Sequence, residues 1–298
     1  MNKINHIELP KRIYTVGSEW LYYKIYVGPQ TSDYLLISIL NPVTNDLLEK
    51  KIIDKWFFIR YADPENHIRV RFHLKKIEYI SYIIRELYEK LEYYVKSKII
   101  FDIQIGTYKR ELERYGLYIM EEVESLFHFN SNLIIKIIEI TFENSKNRWL
   151  LGMKAIDSLL NQWGYDLLSK KIFLEKLKND FGEEFGVNKN IRKQLSLKFR
   201  NNKTAIESIL KNSHNINEAK EPFDKFIKSN SIIIKKIIQK NEALNAMIDY
   251  DNLLKSLIHM HCNRLFKSNQ RLNEWVVYDL LFRYYHSSFA RNNFQLEK

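Results

Sequence analysis

The sequence has little of several things, and each shortage excludes something. It holds one cysteine, Cys262, so an internal disulfide and a cysteine-built zinc site are both excluded, which fits a reducing cytosol. Glycine and proline number eight and five in 298 residues. That is too few for an architecture of repeated β-turns and predicts a helix-rich chain. No window reaches the roughly 18 consecutive apolar residues of a membrane span. The opening MNKINHIELPKR has no apolar signal core, so the expectation is a cytoplasmic protein that is not exported by that route. No Walker loop, GxGxxG, HExxH, GxSxG or kinase motif set occurs, and the expectation is neither a metal nor an organic cofactor.

What is present is apolar and basic. Apolar types make up 45% and aromatics 14%, ample for a buried core, so disorder is excluded as the dominant state. At roughly 100–200 residues per domain the length suits one large domain or two modest ones. The net charge is 47 − 36 = +11. Lysine, isoleucine and asparagine are abundant throughout, and the longest basic clusters (Lys75-Lys76, Lys170-Lys171, Lys235-Lys236) are only pairs set in amphipathic runs. A nucleic-acid binder concentrates its charge on one face or arm, so the excess reads as a solvated lysine-rich surface. An acidic small molecule or a polyanion stays open as the alternative.

Two regimes follow one another along the chain. In residues 1–116, aromatic and β-branched strands alternate with helices: Trp20–Val27, a helix over Ser32–Leu48, Lys55–Tyr61, His67–Leu74, a helix over Lys76–Lys96, and Lys98–Ile105. Asp63-Pro64-Glu65-Asn66 turns the chain between the two middle strands. The order β-α-β-β-α-β is that of a ferredoxin-like sheet. Residues 117–298 read as helices: Leu117–Phe127, Ser131–Phe142, Asn147–Leu168, Lys171–Glu184, Lys189–Asn212, Ile216–Lys240, Ala243–Phe266 and Glu274–Phe289. Asn-rich joints (Asn201-Asn202, Asn212–Asn217) read as surface connections. No Pro/Gly/Ser linker divides the chain, so the expected class is α+β, with sheet and helices sharing one core as a single domain over residues 1–298.

Three clusters have chemical potential. In His67-Ile68-Arg69-Val70-Arg71-Phe72-His73-Leu74 the alternation of a strand puts Ile68, Val70, Phe72 and Leu74 on one face and two imidazoles with two guanidiniums on the other. The second face is either a solvent-washed outer surface or an anion site, since two such cations repel unless water or an anion lies between them and Arg grips a carboxylate or phosphate with two bonds. In Gly106–Gly116 a turn leads into a short helix, with Arg110 and Arg114 four apart on one face, Glu111 placed to hold Arg114, and Gly116 as a stop. An ordinary charged helix turn is the alternative. In Ser256–Leu265 a helix puts Leu254, Leu257, Ile258, His261 and Leu265 on one stripe and Asn252, Ser256, His259 and Asn263 on the opposite side. His261 is then a core histidine and His259 faces a polar space. The two histidines are two residues apart and diverge on a helix, which argues against a metal site.

At these three places the sequence resembles a known family. WLYYKIYVG, a helix, KWFFIRYADPENHIRVRF, then GTYKRELERYG, then SLIHMHCNRL are similar to the elimination domain of class I lanthipeptide dehydratases, found also as a separate chain in thiopeptide-type bacteriocin biosynthesis. The likeness runs from about Trp20 to the C-terminus. Leu117 stands where many members carry a second glycine after ERYG.

The resemblance implies a β-elimination on a ribosomally made precursor peptide. A larger glutamylation domain esterifies Ser or Thr with glutamate from glutamyl-tRNA, and the elimination domain removes the Cα proton and expels glutamate to leave dehydroalanine or dehydrobutyrine. This chain is expected to be the stand-alone half of a split dehydratase, with a separate glutamylation subunit as partner. Direct nucleic-acid binding is not expected, and a homodimer is possible. Matching motifs carry over Arg71, Arg114 and His259 as catalytic groups and Arg69 as a substrate-binding group. Arg110, His261 and Asn263 are further substrate-binding candidates. Arg69 and Arg71 would grip the glutamyl group and offset charge on its leaving carboxylate, Arg114 would stabilise the enolate-like charge or orient the ester, and His259 would move the proton. A formal [4+2] cycloaddition of two dehydroalanines to a thiopeptide pyridine, on the same fold, is the alternative. A non-catalytic peptide-binding partner of a dehydratase is a third reading.

Overall fold

β1 (Ile13–Tyr14) and β2 (Trp20–Val27) open the chain in the computed structural model, which describes residues 10–143, 147–211, 217–244 and 248–296. α1 (Pro29–Leu35) and α2 (Asn41–Glu49) follow as one nearly continuous rod, joined by a wider turn at Leu36–Leu40. Next come β3 (Ile53–Ala62), β4 (Asn66–Leu74), α3 (Ile80–Lys96), β5 (Ile100–Gly106), β6 (Tyr108–Lys109) and the single-turn α4 (Leu112–Tyr115). The rest is helical: α5 (Met120–Ile140), α6 (Arg148–Gln162), α7 (Leu167–Glu184), α8 (Lys189–Leu210), α9 (Asn217–Ala243), α10 (Tyr250–Leu265) and α11 (Gln270–Leu296). The α+β class is as the sequence predicts, and among the described residues no helix is long and apolar enough to cross a membrane. The chain forms two compact units, Met1–Ser131 with Ile233–Ser256, and Asn132–Ile232 with Leu257–Lys298.

In the first unit β2, β3, β4 and β5 form an antiparallel sheet in the order β3-β4-β2-β5, and β1 pairs with β6 separately. The register puts Val70 opposite Tyr23 on one side and Phe58 on the other. One face therefore collects Leu21, Tyr23, Ile25, Trp56, Phe58, Ile68, Val70 and Phe72, all buried, while α1, α2 and α3 contact β4, β3 and β5 respectively. Arg60 falls on this apolar face by the same alternation, and Asp33 of α1 meets its guanidinium at 2.5 Å. A buried cation needs such a partner to offset its lost hydration. The outer edge of β3 is covered too, since Ser131 of α5 accepts from the Phe58 amide at 3.3 Å and His128 lies against the Trp56 backbone. Covering an edge in this way blocks strand-to-strand aggregation.

In the second unit α11 packs along α7, and α8 contacts both α6 and α11. Asp166 and Asn188 start α7 and α8 by accepting from the amides of Ser169 and Ile191, as N-cap side chains do. Lys170 meets Asp157 at 2.7 Å in the interior, and the Tyr285 hydroxyl donates to the same carboxylate at 2.5 Å.

Several predicted boundaries need correction. The break expected between Leu117–Phe127 and Ser131–Phe142 is absent, and α5 runs straight through. Ser131, the predicted start of the second helix, lies inside α5 and is the hydrogen-bond partner of β3. The helix predicted over Asn147–Leu168 stops at Gln162, where Gly164 takes a positive φ of 78°. The helix predicted from Ala243 starts at Tyr250, capped by Asp249 accepting from the Asn252 amide. Arg110 is not on a helix: it follows β6, and only Leu112–Tyr115 is helical, so it does not share a face with Arg114 in the predicted way. Of the Asn212–Asn217 joint, residues 212–216 lie outside the described residues, and Asn201-Asn202 is not a joint but lies inside α8.

Candidate functional site

The polar face of β4 is not washed by solvent. His67 and Arg71 are buried, while Arg69 and His73 are half-buried. Pairing on both sides explains this, because Arg71 lies between Tyr22 of β2 and Phe57 of β3, and Tyr108 of β6 closes over it. Its guanidinium sits 4.5 Å from the Tyr22 ring, 4.8 Å from Tyr108 and 5.2 Å from Phe57. The side chain is 9% exposed, its Nε has no hydrogen-bond partner, and no carboxylate lies within ion-pair distance among the described residues. Burial, the largest influence, pushes the arginine's proton affinity down; Tyr108, Tyr22 and Glu111 offset this only in part.

Arg69 is held differently. Its Nε–H donates to His67 Nε2 at 3.0 Å and its guanidinium stacks 3.5 Å over Tyr61. His67 Nδ1 lies 2.8 Å from the Glu65 carbonyl. Its two contacts require Nδ1–H toward the carbonyl and a bare Nε2 toward Arg69, so the ring is neutral. Burial first, then the charge of Arg69, lowers its proton affinity. His73 is paired with Asp54 at 2.6 Å and its ring lies tilted against Trp20, with centroids 4.8 Å apart. Of the four polar side chains on this strand, Arg71 is a cation set in an aromatic cage and ready for an anion.

Arg110 is already taken. Glu124 of α5, wholly buried, accepts from its Nε at 2.7 Å and from a terminal nitrogen at 2.6 Å, and the Tyr108 hydroxyl donates to the same carboxylate at 2.9 Å. This fork-on-carboxylate pair ties β6 to α5 and fixes the Tyr108 ring that covers Arg71. Arg114, by contrast, is one-third exposed, with Glu111 at 3.3 Å, and its Nε–H donates to Ser256 of α10 at 3.2 Å. Gly116 ends α4 with φ of 99°, a left-handed value that a side chain strains to adopt; a Cβ there would also meet Ile119 at 2.9 Å. Beside it the Glu113–Ile119 segment, the end of α9 and the start of α10 enclose a cleft of about 380 Å³ lined by Arg114, Leu117, Lys240, Asn241, Asn252 and others.

The third cluster follows the predicted helix faces except at Ser256, which is buried against Arg114. Leu254, Leu257, Ile258, His261 and Leu265 are all buried, and His259 and Asn263 are half-buried. His261 is hydrogen-bonded to the Gly152 backbone, and burial, helped by Arg264, pushes its proton affinity down to about 3. His259 points its Nδ1 at Glu274 Oε2, 2.8 Å away, and the Tyr278 hydroxyl donates to the other oxygen of Glu274 at 2.6 Å. The sequence reading missed Glu274 and Tyr278, which lie 15 and 19 residues from His259 with no motif linking them. It also missed the cage around Arg71, although the alternation of β2 could have supplied Tyr22.

The family profile described as lantibiotic biosynthesis dehydratase, C-terminal, matches residues 20–285. The subtilin biosynthesis protein SpaB of Bacillus subtilis is 25% identical over 273 residues, covering 89% of this chain and 25% of that protein. The chain thus spans about a quarter of the length of that curated relative. Among solved structures, the tRNA-dependent lantibiotic dehydratase MibB from Microbispora sp. 107891 superposes with a TM-score of 0.72 at 20% identity, over 93% of this chain and 29% of that one. The pyridine synthase TbtD from thiomuracin biosynthesis does so at 0.67 and 8% identity, over 90% of this chain and 99% of that one. At these identities the two structures speak to the fold alone. The profile match, over most of the sequence, identifies the chain as a member of the lantibiotic biosynthesis dehydratase C-terminal family.

Proposed function

We propose that this chain is a glutamate-eliminating lyase that acts on glutamylated Ser and Thr residues of a precursor peptide, leaving dehydroalanine and dehydrobutyrine. The observation that carries the reading is Arg71, a buried guanidinium caged by three rings with no carboxylate beside it among the described residues. Such a cation is costly to bury unless an anion arrives, and the glutamyl group brings two carboxyl functions, one of them the leaving group. In this reading Arg71 and Arg69 bind the glutamyl moiety and offset the charge that develops on its leaving carboxylate, and Arg114 stabilises negative charge on the carbonyl next to Cα. His259 accepts the Cα proton as the Cβ–O bond breaks. Arg110 and His261 serve the architecture, through Glu124 and Gly152, and Asn263 remains a substrate-binding candidate on α10.

The wider assignments are part of the same proposal. A separate glutamylation subunit, using glutamyl-tRNA, supplies the esterified peptide in the cytoplasm, and this chain makes no nucleic-acid contact of its own, with self-association into a homodimer as an open possibility for the assembly. Both compact units serve one elimination domain. We read its sheet as ferredoxin-like, a reading supported by the order β3-β4-β2-β5 around two helical crossovers.

Incubation with a peptide chemically glutamylated at Ser or Thr tests the proposal by mass spectrometry. Loss of glutamate is expected with the wild type and not with Arg71→Ala or His259→Ala. An ester that survives folded wild-type protein refutes it. A peptide carrying two dehydroalanines, cyclised by the chain, would point to the pyridine-forming reaction instead. Binding of either peptide with no change to it would mark a scaffold.

A further inference from the structure

Glu274 lies in the first turns of α11 with 1% of its surface exposed. A carboxylate buried this deeply is costly unless its oxygens are matched by donors. One oxygen receives the Tyr278 hydroxyl at 2.6 Å and the other faces His259 Nδ1 at 2.8 Å. The neighbours determine which way the protons lie. Burial, then the charge of Glu274, pushes the Tyr278 phenol well above its ordinary range, so it stays a donor. The Cys262 thiol is pushed up by the same two influences and stays neutral. Arg271, one turn back on α11, is committed to Glu184, with Nε at 3.0 Å from its carboxylate. A carboxylate opposite Nδ1 therefore requires the hydrogen on Nδ1, and in the neutral imidazole Nε2 is then the bare nitrogen.

We propose that Glu274 is a positioning residue that locks His259 in the Nδ1–H tautomer and aims a bare Nε2 at the substrate, with Tyr278 fixing the carboxylate in turn. The geometry stands within this helical unit by itself; its consequence for turnover rests on the elimination reading above. In that reaction Nε2 takes the Cα proton, the released electron pair forms the Cα=Cβ bond, and the Cβ–O pair departs with glutamate. Glu274 then faces an imidazolium, which passes its extra proton to water. The arrangement has the logic of a carboxylate orienting a catalytic histidine.

The decisive measurement is the nitrogen NMR spectrum of the whole chain labelled at histidine, at alkaline pH, with His259 identified by its loss in His259→Gln. The wild type is expected to show Nδ1 protonated and Nε2 bare. In Glu274→Gln the amide oxygen stays with Tyr278 and the amide NH₂ faces Nδ1, so the proton moves to Nε2, and glutamate elimination falls about 10- to 100-fold. Tyr278→Phe, which removes one hydroxyl and keeps the ring, is expected to weaken the tautomer preference and slow elimination a few-fold, and it serves if Glu274→Gln does not fold. An Nε2–H tautomer in the wild type overturns the proposal. So does a Glu274→Gln protein whose tautomer and rate both match wild type. If the tautomer shifts as expected while the wild type leaves glutamyl esters intact, the positioning role stands and the elimination reading falls.

Discussion

Replacing Arg71 by methionine should make the protein more stable and stop its reaction. Moving a guanidinium out of water costs several kcal/mol after relaxation. Three aromatic faces at 4.5, 4.8 and 5.2 Å return part of this, at about 0.5–2 kcal/mol for each desolvated contact. Unless all three contacts reach the top of that range the balance is unfavourable to the charge, in keeping with a proton affinity lowered chiefly by burial. Methionine keeps an unbranched stem of similar length and adds a sulfur contact to the rings, so Arg71→Met should gain about 1–3 kcal/mol. Urea unfolding followed by tryptophan fluorescence reads this directly, since Trp20 packs against Phe57 in the same cluster. Elimination of glutamate should fall at least about 100-fold, as when a group that stabilises developing charge is removed. If instead Arg71→Met loses more than about 1 kcal/mol, the cation–ring contacts outweigh desolvation. Arg71 would then be a structural residue, and the anion-site argument would fail.

Other perturbations test separate parts of the argument. Glu124→Gln leaves Arg110 buried without a counter-charge and should cost about 3–5 kcal/mol in thermal or urea unfolding, while Arg69→Ala should leave stability within about 1 kcal/mol and impair turnover. Gly152→Ala drives a Cβ into the Leu265 side chain in a filled interior, so a loss of about 1–3 kcal/mol is expected, with an unchanged result arguing that the Leu265 side chain can turn aside. His261 binds its proton at about 3 in the fold, below the ordinary value of about 6.5. Its stabilising contribution is therefore whole above about pH 6.5 and is lost as pH falls from there toward 3, by about 1.4 kcal/mol per unit. In His261→Gln the decline of the urea midpoint between about pH 6.5 and 4 should flatten; an identical decline would place the acid sensitivity elsewhere.

Local pattern determined a good deal. Alternation in HIRVRFHL put Ile68, Val70, Phe72 and Leu74 on one face, and they are buried there, because a strand's period of two is a property of its own backbone. The stripe containing Leu254, Ile258 and His261 followed from the helix period in the same way, and Gly116 ended a helix where its φ is left-handed. The family likeness was also legible, being carried by contiguous motifs. Tertiary structure alone decided what became of the charges. Arg110 and Arg114 sit in one short segment, yet Glu124 of α5 claims the first while the second reaches Ser256. Arg71 became a caged cation because Tyr22, Phe57 and Tyr108 arrive from three other strands. His259 acquired Glu274 from the next helix. Secondary structure follows from interactions within a few residues, whereas the state of a charge depends on which groups surround it in space, and those come from anywhere in the chain.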